Sequence, residues 1–212
     1  VDSGLDYKSS HGCTRSSAVD VTLISAASQV LAALRQENVK GCIVGGLAVS
    51  SRCDPRFTRD VDIAVAVETD EQAEALIHAL VSHGLRMNGL VEQEAVGRLA
   101  MARLSTEDGL SVDLLIASSG IETEVVTKAE TLEVVQGVLL PVARTGHLIA
   151  LKLLSVAPGR ETDVADLRNL AAVAIEEEWN LASEAVAQIQ ERGFARGRQL
   201  DSELHTLRNS IL

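Results

Sequence analysis

Positions 56 to 67 read RFTRDVDIAVAV, and this stretch decides the fold. Its second half is apolar, rich in β-branched residues and bounded by turn-forming residues, which predicts a strand. Side chains two apart on a strand point to the same face, so Asp60 and Asp62 present their carboxylates together. Val61 and Ile63 alternate with them and point into the core. The stretch therefore predicts a strand with a pair of acids on one face.

A predicted hairpin supplies a third carboxylate. Two apolar runs, residues 96–104 and 110–116, flank Thr-Glu-Asp-Gly at positions 106–109, and Asp-Gly between apolar runs is typical of a hairpin turn. The second arm carries Asp113, which joins Asp60 and Asp62 if this arm pairs beside their strand. Clustered carboxylates repel each other unless a cation lies between them, and oxygen ligands suit Mg²⁺, with Mn²⁺ as the alternative ion. Three carboxylates can hold two ions about 3.5–4 Å apart.

Glycines and basic residues lie where a phosphate site needs them. The apolar run at 39–44 ends at Gly45 and Gly46, and a helix can start at once, which indicates a strand, a glycine turn and a helix. Such a turn lets the backbone pass close to a ligand, and the helix N-terminus offers free amides to a phosphate. Arg56 and Lys152 can neutralise triphosphate charge. Taken singly, each feature also has a purely structural interpretation, such as a tight turn or a solvated charge.

The remaining pattern predicts an α/β (α+β) protein with a mixed β-sheet core and a C-terminal helical domain. We expect a flexible N-terminal arm at residues 1–18, the core at 19–142 and the helical domain at 143–212. Further core elements are predicted, with helices at 18–34, 47–52 and 71–83, and strands at 132–135 and 138–142. Beyond residue 147 the pattern is helical, with breaks at 158–159 and 192–193.

Composition excludes several classes of protein. The chain is 46% apolar and 23% charged, as in ordinary soluble proteins, and no segment approaches the ~20 apolar residues of a membrane span. The net charge of -11 repels nucleic acid at long range, although a nucleotide carried with a metal escapes this objection. With two Phe, one Trp and one Tyr, few rings are available for base stacking. Three cysteines without paired metal spacing indicate a reducing cytoplasm.

The order of these pieces resembles the signature of polymerase-β-like nucleotidyltransferases, in particular the minimal bacterial enzymes of the AbiEii/AbiGii toxin and MenT type. The resemblance spans about residues 39–170. It is carried by GGLAV at 45–49, RFTRDVD at 56–62, SVDLLI at 111–116, VARTGHLIALKLL at 142–154 and RETDVADL at 160–167.

The resemblance implies transfer of a nucleoside monophosphate from an NTP such as ATP to an acceptor hydroxyl, with release of pyrophosphate. By the same resemblance, Asp60 and Asp62 would ligand both metals. Asp113 would ligand the metal at the acceptor and help to deprotonate the hydroxyl.

The resemblance also assigns the nucleotide contacts. Gly45 and Gly46 would cradle the β- and γ-phosphates, and Lys152 would contact the triphosphate. Arg56 would order the loop before the metal strand or reach the nucleotide, and Thr58 stands with the nucleotide-binding residues. Two acids in the RETDVADL stretch, Asp163 and Asp166, would either tie the helical region to the core or take part in catalysis.

Three functions stay open. The first is a toxin that nucleotidylates a macromolecule such as a tRNA end and has a cognate antitoxin. The second is nucleotidyl transfer to a small molecule such as an aminoglycoside. The third is a non-catalytic nucleotide-binding regulatory module, against which the three carboxylates argue. The expected location is the cytoplasm.

Overall fold

A seven-stranded mixed β-sheet forms the centre of the protein in the computed structural model, which describes residues 21–210. The strands are β1 (Gly41–Val44), β2 (Asp60–Val65), β3 (Arg86–Gln93), β4 (Arg98–Ser105), β5 (Ser111–Leu115), β6 (Glu130–Val135) and β7 (Val138–Val142). Their order across the sheet is β3-β4-β5-β2-β1-β7-β6. Strand β2 therefore lies in the middle of the sheet.

Helices occupy most of the rest of the described chain. They are α1 (Val21–Gln36), α2 (Gly45–Arg52), α3 (Asp70–Ser82), α4 (Glu122–Thr127), α5 (Thr145–Ser155), α6 (Glu161–Val173), α7 (Glu176–Glu191) and α8 (Leu200–Asn209). The prediction of an α/β protein with a mixed sheet is confirmed. The predicted N-terminal arm, residues 1–18, lies outside the described residues.

The register around β2 sets up the site. Strand β2 pairs parallel with β5 and antiparallel with β1. Asp62 is therefore flanked by Asp113 on β5 and by Val44 on β1, the last residue before the glycine turn. The two predicted hairpins, β4–β5 and β6–β7, are both present.

Alternation along β2 separates the core from the site. Val61 and Ile63 are fully buried, as predicted, whereas Asp60 and Asp62 are half-buried on the other face. Helix α1 contacts β1 and β2, and Leu34 reaches the region of Ile63 next to Gly41. Branched aliphatic side chains thus fill the centre of the sheet and hold the acid-bearing strand in place.

Helices α5 to α8 pack on one another and against the core. Helix α5 contacts α6, α7, α8 and α2. Trp179 on α7 is 8% exposed, and the guanidinium of Arg208 on α8 lies 5.8 Å from the centre of its ring. The division of the chain at residue 143 stays a prediction.

Some elements differ from the sequence-based prediction. The chain enters α2 at Gly45 itself, so the glycine turn is the first part of the helix. Strand β3 and the short helix α4 were not predicted, and neither was the break between α6 and α7 at residues 174–175. Within residues 21–210, every helix is too short or too polar to cross a membrane.

Candidate active site

Asp60, Asp62 and Asp113 meet on one face of the sheet. One carboxylate oxygen from each lies within 4.8 Å of those of the other two. The parallel register between β2 and β5 produces this arrangement, because it places Asp113 directly beside Asp62. Asp60 is two residues earlier on the same strand and so shares the face. The structure therefore brings together the three acids that the sequence singled out.

Burial and neighbouring negative charges both disfavour the ionised form of Asp62. Burial, followed by the charges of Asp60 and Asp113, raises the pKa of Asp62 to about 6. The charge of Lys152 and a hydrogen bond from the backbone N–H of Gly46 act in the opposite direction without cancelling this effect. A divalent cation would relieve this repulsion, and the donor set consists of carboxylate oxygens, as Mg²⁺ or Mn²⁺ prefers. The residues present thus fit a hard divalent metal.

Arg103 on β4 contacts the third carboxylate, and the sequence analysis missed it. Its Nε and Nη2 donate to Asp113 Oδ1 and Oδ2 at 2.8 and 2.7 Å, a two-pronged ion pair. The hydrogen bonds and charge of Asp113 hold the pKa of Arg103 well above its ordinary value. The two residues are direct cross-strand neighbours. The observed register pairs Ser105 with Ser111, one residue away from the count outward from a turn at 106–109, so the sequence alone would not have placed Arg103 opposite Asp113.

The glycine turn is closely packed against the acids. Gly45 has φ +61°, and a β-carbon there would lie 1.8 Å from Asp62 Oδ2. A β-carbon at Gly46 would lie 2.7 Å from Thr58 Oγ1 and 2.8 Å from Arg56 Nη2. Position 45 therefore requires glycine, whereas a side chain at position 46 would have to displace Thr58 or Arg56. The close approach makes the turn part of the wall around the carboxylates, with the first turn of α2 beside them.

Arg56 and Lys152 are both paired with acids of α6. Arg56 Nε and Nη2 donate to Asp166 Oδ1 and Oδ2 at 2.6 and 2.8 Å. Lys152 Nζ lies 2.7 Å from Asp163 Oδ1 and 2.8 Å from Asp166 Oδ2. Asp166 is fully buried, so one carboxylate joins the loop before β2 to helices α5 and α6. These ion pairs are the tie between the helical region and the core that Asp163 and Asp166 were expected to provide.

Thr58 supports the first acid of the pair. Its hydroxyl Oγ1 donates to Asp60 Oδ1 at 3.2 Å. Thr58 therefore holds a carboxylate of the site. The expected contacts of Thr58, Arg56 and Lys152 with a nucleotide stay predictions.

A cavity of about 690 Å³ opens over the acids. This volume lies within the usual range for small-molecule sites. The cavity is lined by all eight residues that the sequence analysis selected, namely Gly45, Gly46, Arg56, Thr58, Asp60, Asp62, Asp113 and Lys152. Arg103 also lines it. Acidic, basic and glycine residues that are distant in the sequence thus share one accessible space.

Comparison with solved structures identifies the fold. Antibiotic-resistance factor ANT(2″)-Ia in solution is similar over 89% of this chain and 100% of its own, with 19% identity and a TM-score of 0.53. Its complex with adenylyl-2″-tobramycin gives 19% identity and a TM-score of 0.52 over 81% and 99% of the two chains. No protein-family model and no curated protein matches the sequence.

A toxin is among the more distant matches. MenT4, a nucleotidyltransferase toxin from Mycobacterium tuberculosis H37Rv, is 17% identical over 90% of this chain and 92% of its own, with a TM-score of 0.45. The matches to ANT(2″)-Ia show that the chain has the nucleotidyltransferase fold, as the resemblance in the sequence implied.

Proposed function

We propose that this chain, which has the nucleotidyltransferase fold, transfers a nucleoside monophosphate from a Mg²⁺-bound nucleoside triphosphate to an acceptor hydroxyl. The observation that carries this proposal is the convergence of Asp60, Asp62 and Asp113 at the base of an accessible cavity. Mutually repelling carboxylates are costly to fold, and a cation between them offsets that cost. Their arrangement is therefore better explained by metal and phosphate binding than by stability.

The chemistry is an in-line displacement at the α-phosphorus. The acceptor oxygen bonds to the α-phosphorus, the bond from that phosphorus to the α–β bridging oxygen breaks, and pyrophosphate leaves with the bonding electrons. The hydroxyl proton passes to a carboxylate oxygen of Asp113. Two divalent cations held by the acids, Mg²⁺ or Mn²⁺, would neutralise phosphate charge and favour the alkoxide form of the acceptor. ATP is the donor to test first.

The basic and glycine residues would place the triphosphate. Gly45 and Gly46, in the first turn of α2, line the cavity, and backbone N–H groups of that turn would donate to phosphate oxygens. Lys152 and Arg56 contribute positive charge to the cavity wall, although both are shared with buried acids of α6. We assign them to charge neutralisation and loop order, with Thr58 holding Asp60.

A transfer assay tests the proposal directly. Protein is incubated with each α-³²P-labelled NTP and Mg²⁺ or Mn²⁺, in parallel with total tRNA and with an aminoglycoside panel. We expect label to move to one class of acceptor in the wild type and to none in Asp62→Asn or in EDTA. Equal transfer by wild type and Asp62→Asn would refute the assignment of the site.

A polynucleotide acceptor is the first candidate. Phe57 is 69% exposed in the loop that leads to Asp60, and the Arg59 guanidinium lies 5.5 Å from the centre of its ring. An exposed ring with a cation beside it can stack a base and contact a phosphate. A tRNA end would fit this pair, and transfer to tRNA would support a toxin with a cognate antitoxin acting in the cytoplasm.

A small cationic acceptor such as an aminoglycoside is the second candidate. The net charge of -11 attracts polycations and repels polyanions at long range. ANT(2″)-Ia, whose fold is similar, has been solved with adenylyl-2″-tobramycin. Label on an aminoglycoside and none on tRNA would select this function.

Calorimetry distinguishes the two enzymatic functions from that of a non-catalytic module. Mg-NTP is titrated into the wild type and into Asp62→Ala. We expect binding to weaken in the variant because the cation loses a ligand. Unchanged binding, together with no transfer by either protein, would select a regulatory nucleotide-binding module.

A further inference from the structure

Arg103 occupies both oxygens of the carboxylate that the proposed reaction needs. One guanidinium therefore contacts both oxygens of Asp113, at N···O distances of 2.8 and 2.7 Å. Asp113 is 5% exposed, whereas the side chain of Arg103 is 53% exposed. Asp113 is therefore enclosed by the sheet, whereas the side chain of Arg103 has solvent beside it into which it can turn once its ion pair is broken.

The guanidinium and a metal ion compete for the same position. An oxygen of Asp113 lies within 4.8 Å of oxygens of Asp60 and Asp62, so a cation bound by all three is close to Arg103. Like charges at such a distance repel, and the repulsion grows in a partly buried cavity. The charges of Asp60 and Asp62 also favour the guanidinium where it is, so Arg103 neutralises the acids in the absence of metal.

A displaced Arg103 has an obvious new partner. Its side chain lines the cavity, where a triphosphate brings negative oxygens next to the same acids. A guanidinium binds phosphate oxygens with the same two-pronged geometry that it uses for a carboxylate. Moving from Asp113 to a phosphate oxygen would leave the positive charge of Arg103 paired with an anion in both states.

We propose that Arg103 is the resident counter-ion of Asp113, and that it exchanges this carboxylate for an anionic oxygen of the substrate when the second cation binds. This inference rests on the proposed function, because it names the residue that controls the occupancy of the same site. If Arg103 served only to orient Asp113, its removal would weaken the binding of the cation. The exchange predicts tighter binding.

Titration with Mn²⁺, followed by electron paramagnetic resonance without nucleotide, separates these outcomes. We expect Arg103→Gln to bind the second Mn²⁺ about tenfold more tightly than the wild type, because a neighbouring positive charge is removed. Arg103→Lys keeps the positive charge but cannot form the two-pronged ion pair. Its affinity for the second Mn²⁺ should therefore lie between those of the wild type and Arg103→Gln. Equal or weaker second-ion binding in Arg103→Gln would overturn the proposal.

Arg98→Gln is the matched control. Arg98 also lies on β4 and forms an ion pair at 2.7 Å, with Asp70, but it does not line the cavity. We expect its Mn²⁺ affinities to equal those of the wild type. If Arg98→Gln gained as much affinity for the second Mn²⁺ as Arg103→Gln, the overall charge of the protein, and not the exchange at Asp113, would explain the tighter binding.

Steady-state kinetics test the second half of the exchange. Despite its tighter metal binding, Arg103→Gln should raise the KM for NTP about tenfold or more, because a charged hydrogen bond to phosphate is lost. An unchanged KM would overturn the role at the substrate. If the wild type and Asp62→Asn show the same Mn²⁺ binding, the proposed function fails as well. If the wild type binds Mn²⁺ more tightly than Asp62→Asn does, and Arg103→Gln binds it as tightly as the wild type, only the exchange fails.

Discussion

The α-carbon of Gly45 lies so close to Asp62 that a β-carbon added to it would be 1.8 Å from the carboxylate oxygen Oδ2. Gly45 also has φ +61°, a conformation that favours glycine. The backbone of the glycine turn and the side chain of Asp62 therefore restrict each other, and neither can move far without the other.

Gly45→Ala tests this restriction. We expect the variant to lose about 1–2 kcal/mol of unfolding free energy from backbone strain, and to lose most of its transfer activity because Asp62 must move. Gly137→Ala is the control, since Gly137 has φ +81° but no atom within 4 Å of an added β-carbon. Gly137→Ala should lose a similar amount of unfolding free energy in urea and keep full transfer activity. Loss of activity in both variants would contradict the argument from the contact.

Asp62→Asn should stabilise the metal-free protein while it abolishes transfer. Burial, followed by the charges of Asp60 and Asp113, disfavours the ionised form of Asp62, so removing its charge should gain about 1–3 kcal/mol at neutral pH. Urea unfolding in EDTA measures the gain, and Mn²⁺ should then stabilise the wild type more than the variant. Asp113→Asn should gain nothing, because it also loses the ion pair with Arg103. A less stable Asp62→Asn would indicate that the acid has a structural role.

Asp166→Ala should be the most destabilising single change among the acids of the site. Its fully buried carboxylate accepts from Arg56 and contacts Lys152, so its loss leaves two cations poorly compensated. We expect a loss of about 3 kcal/mol or more in urea unfolding. Asp163→Ala should cost less, since Lys152 and Arg56 both keep Asp166. Equal effects of the two changes would show that Asp166 is not the central link.

His147 makes stability depend on pH. Burial, with help from the charges of Lys128 and Arg144, lowers the pKa of this imidazole to about 4, against about 6.5 in an unfolded chain. Because the pKa of His147 is lower in the folded protein, the stability that its neutral imidazole contributes is complete above about pH 6.5. This stability is lost as the pH falls toward about 4. Over that window the wild type should lose up to about 3 kcal/mol more than His147→Gln. Urea unfolding at both pH values, monitored by circular dichroism, checks this; parallel losses would contradict it.

The central strands could be predicted because their local signals agree with their burial. β2 combines β-branched residues with acids at alternate positions, and the β4–β5 hairpin has an Asp-Gly turn. By contrast, β3 is an edge strand whose residues are mostly exposed, so its sequence has no apolar period. The six-residue helix α4 is too short to show a helical period. The break between α6 and α7 lacks the Gly or Pro that marks other breaks.

The candidate site divides in the same way. Asp60 and Asp62 are neighbours on one strand, so their partnership is visible in the sequence. Arg103 could be paired with Asp113 only through the register of a hairpin, and no sequence pattern singled it out. The ion pairs of Lys152 with Asp163 and Asp166 depend on how α5 and α6 pack. Where a contact depends on the packing of separate elements, sequence identifies the residues but not their partners.

Trp179 gives the molecule a built-in reporter. It is the only tryptophan of the sequence and is buried on α7, so tryptophan fluorescence reports the packing around the C-terminal helices. Circular dichroism reads the whole chain. Coincident unfolding curves from the two signals would mean that sheet and helices melt as one cooperative unit, whereas an earlier fluorescence transition would reveal a separable helical lobe.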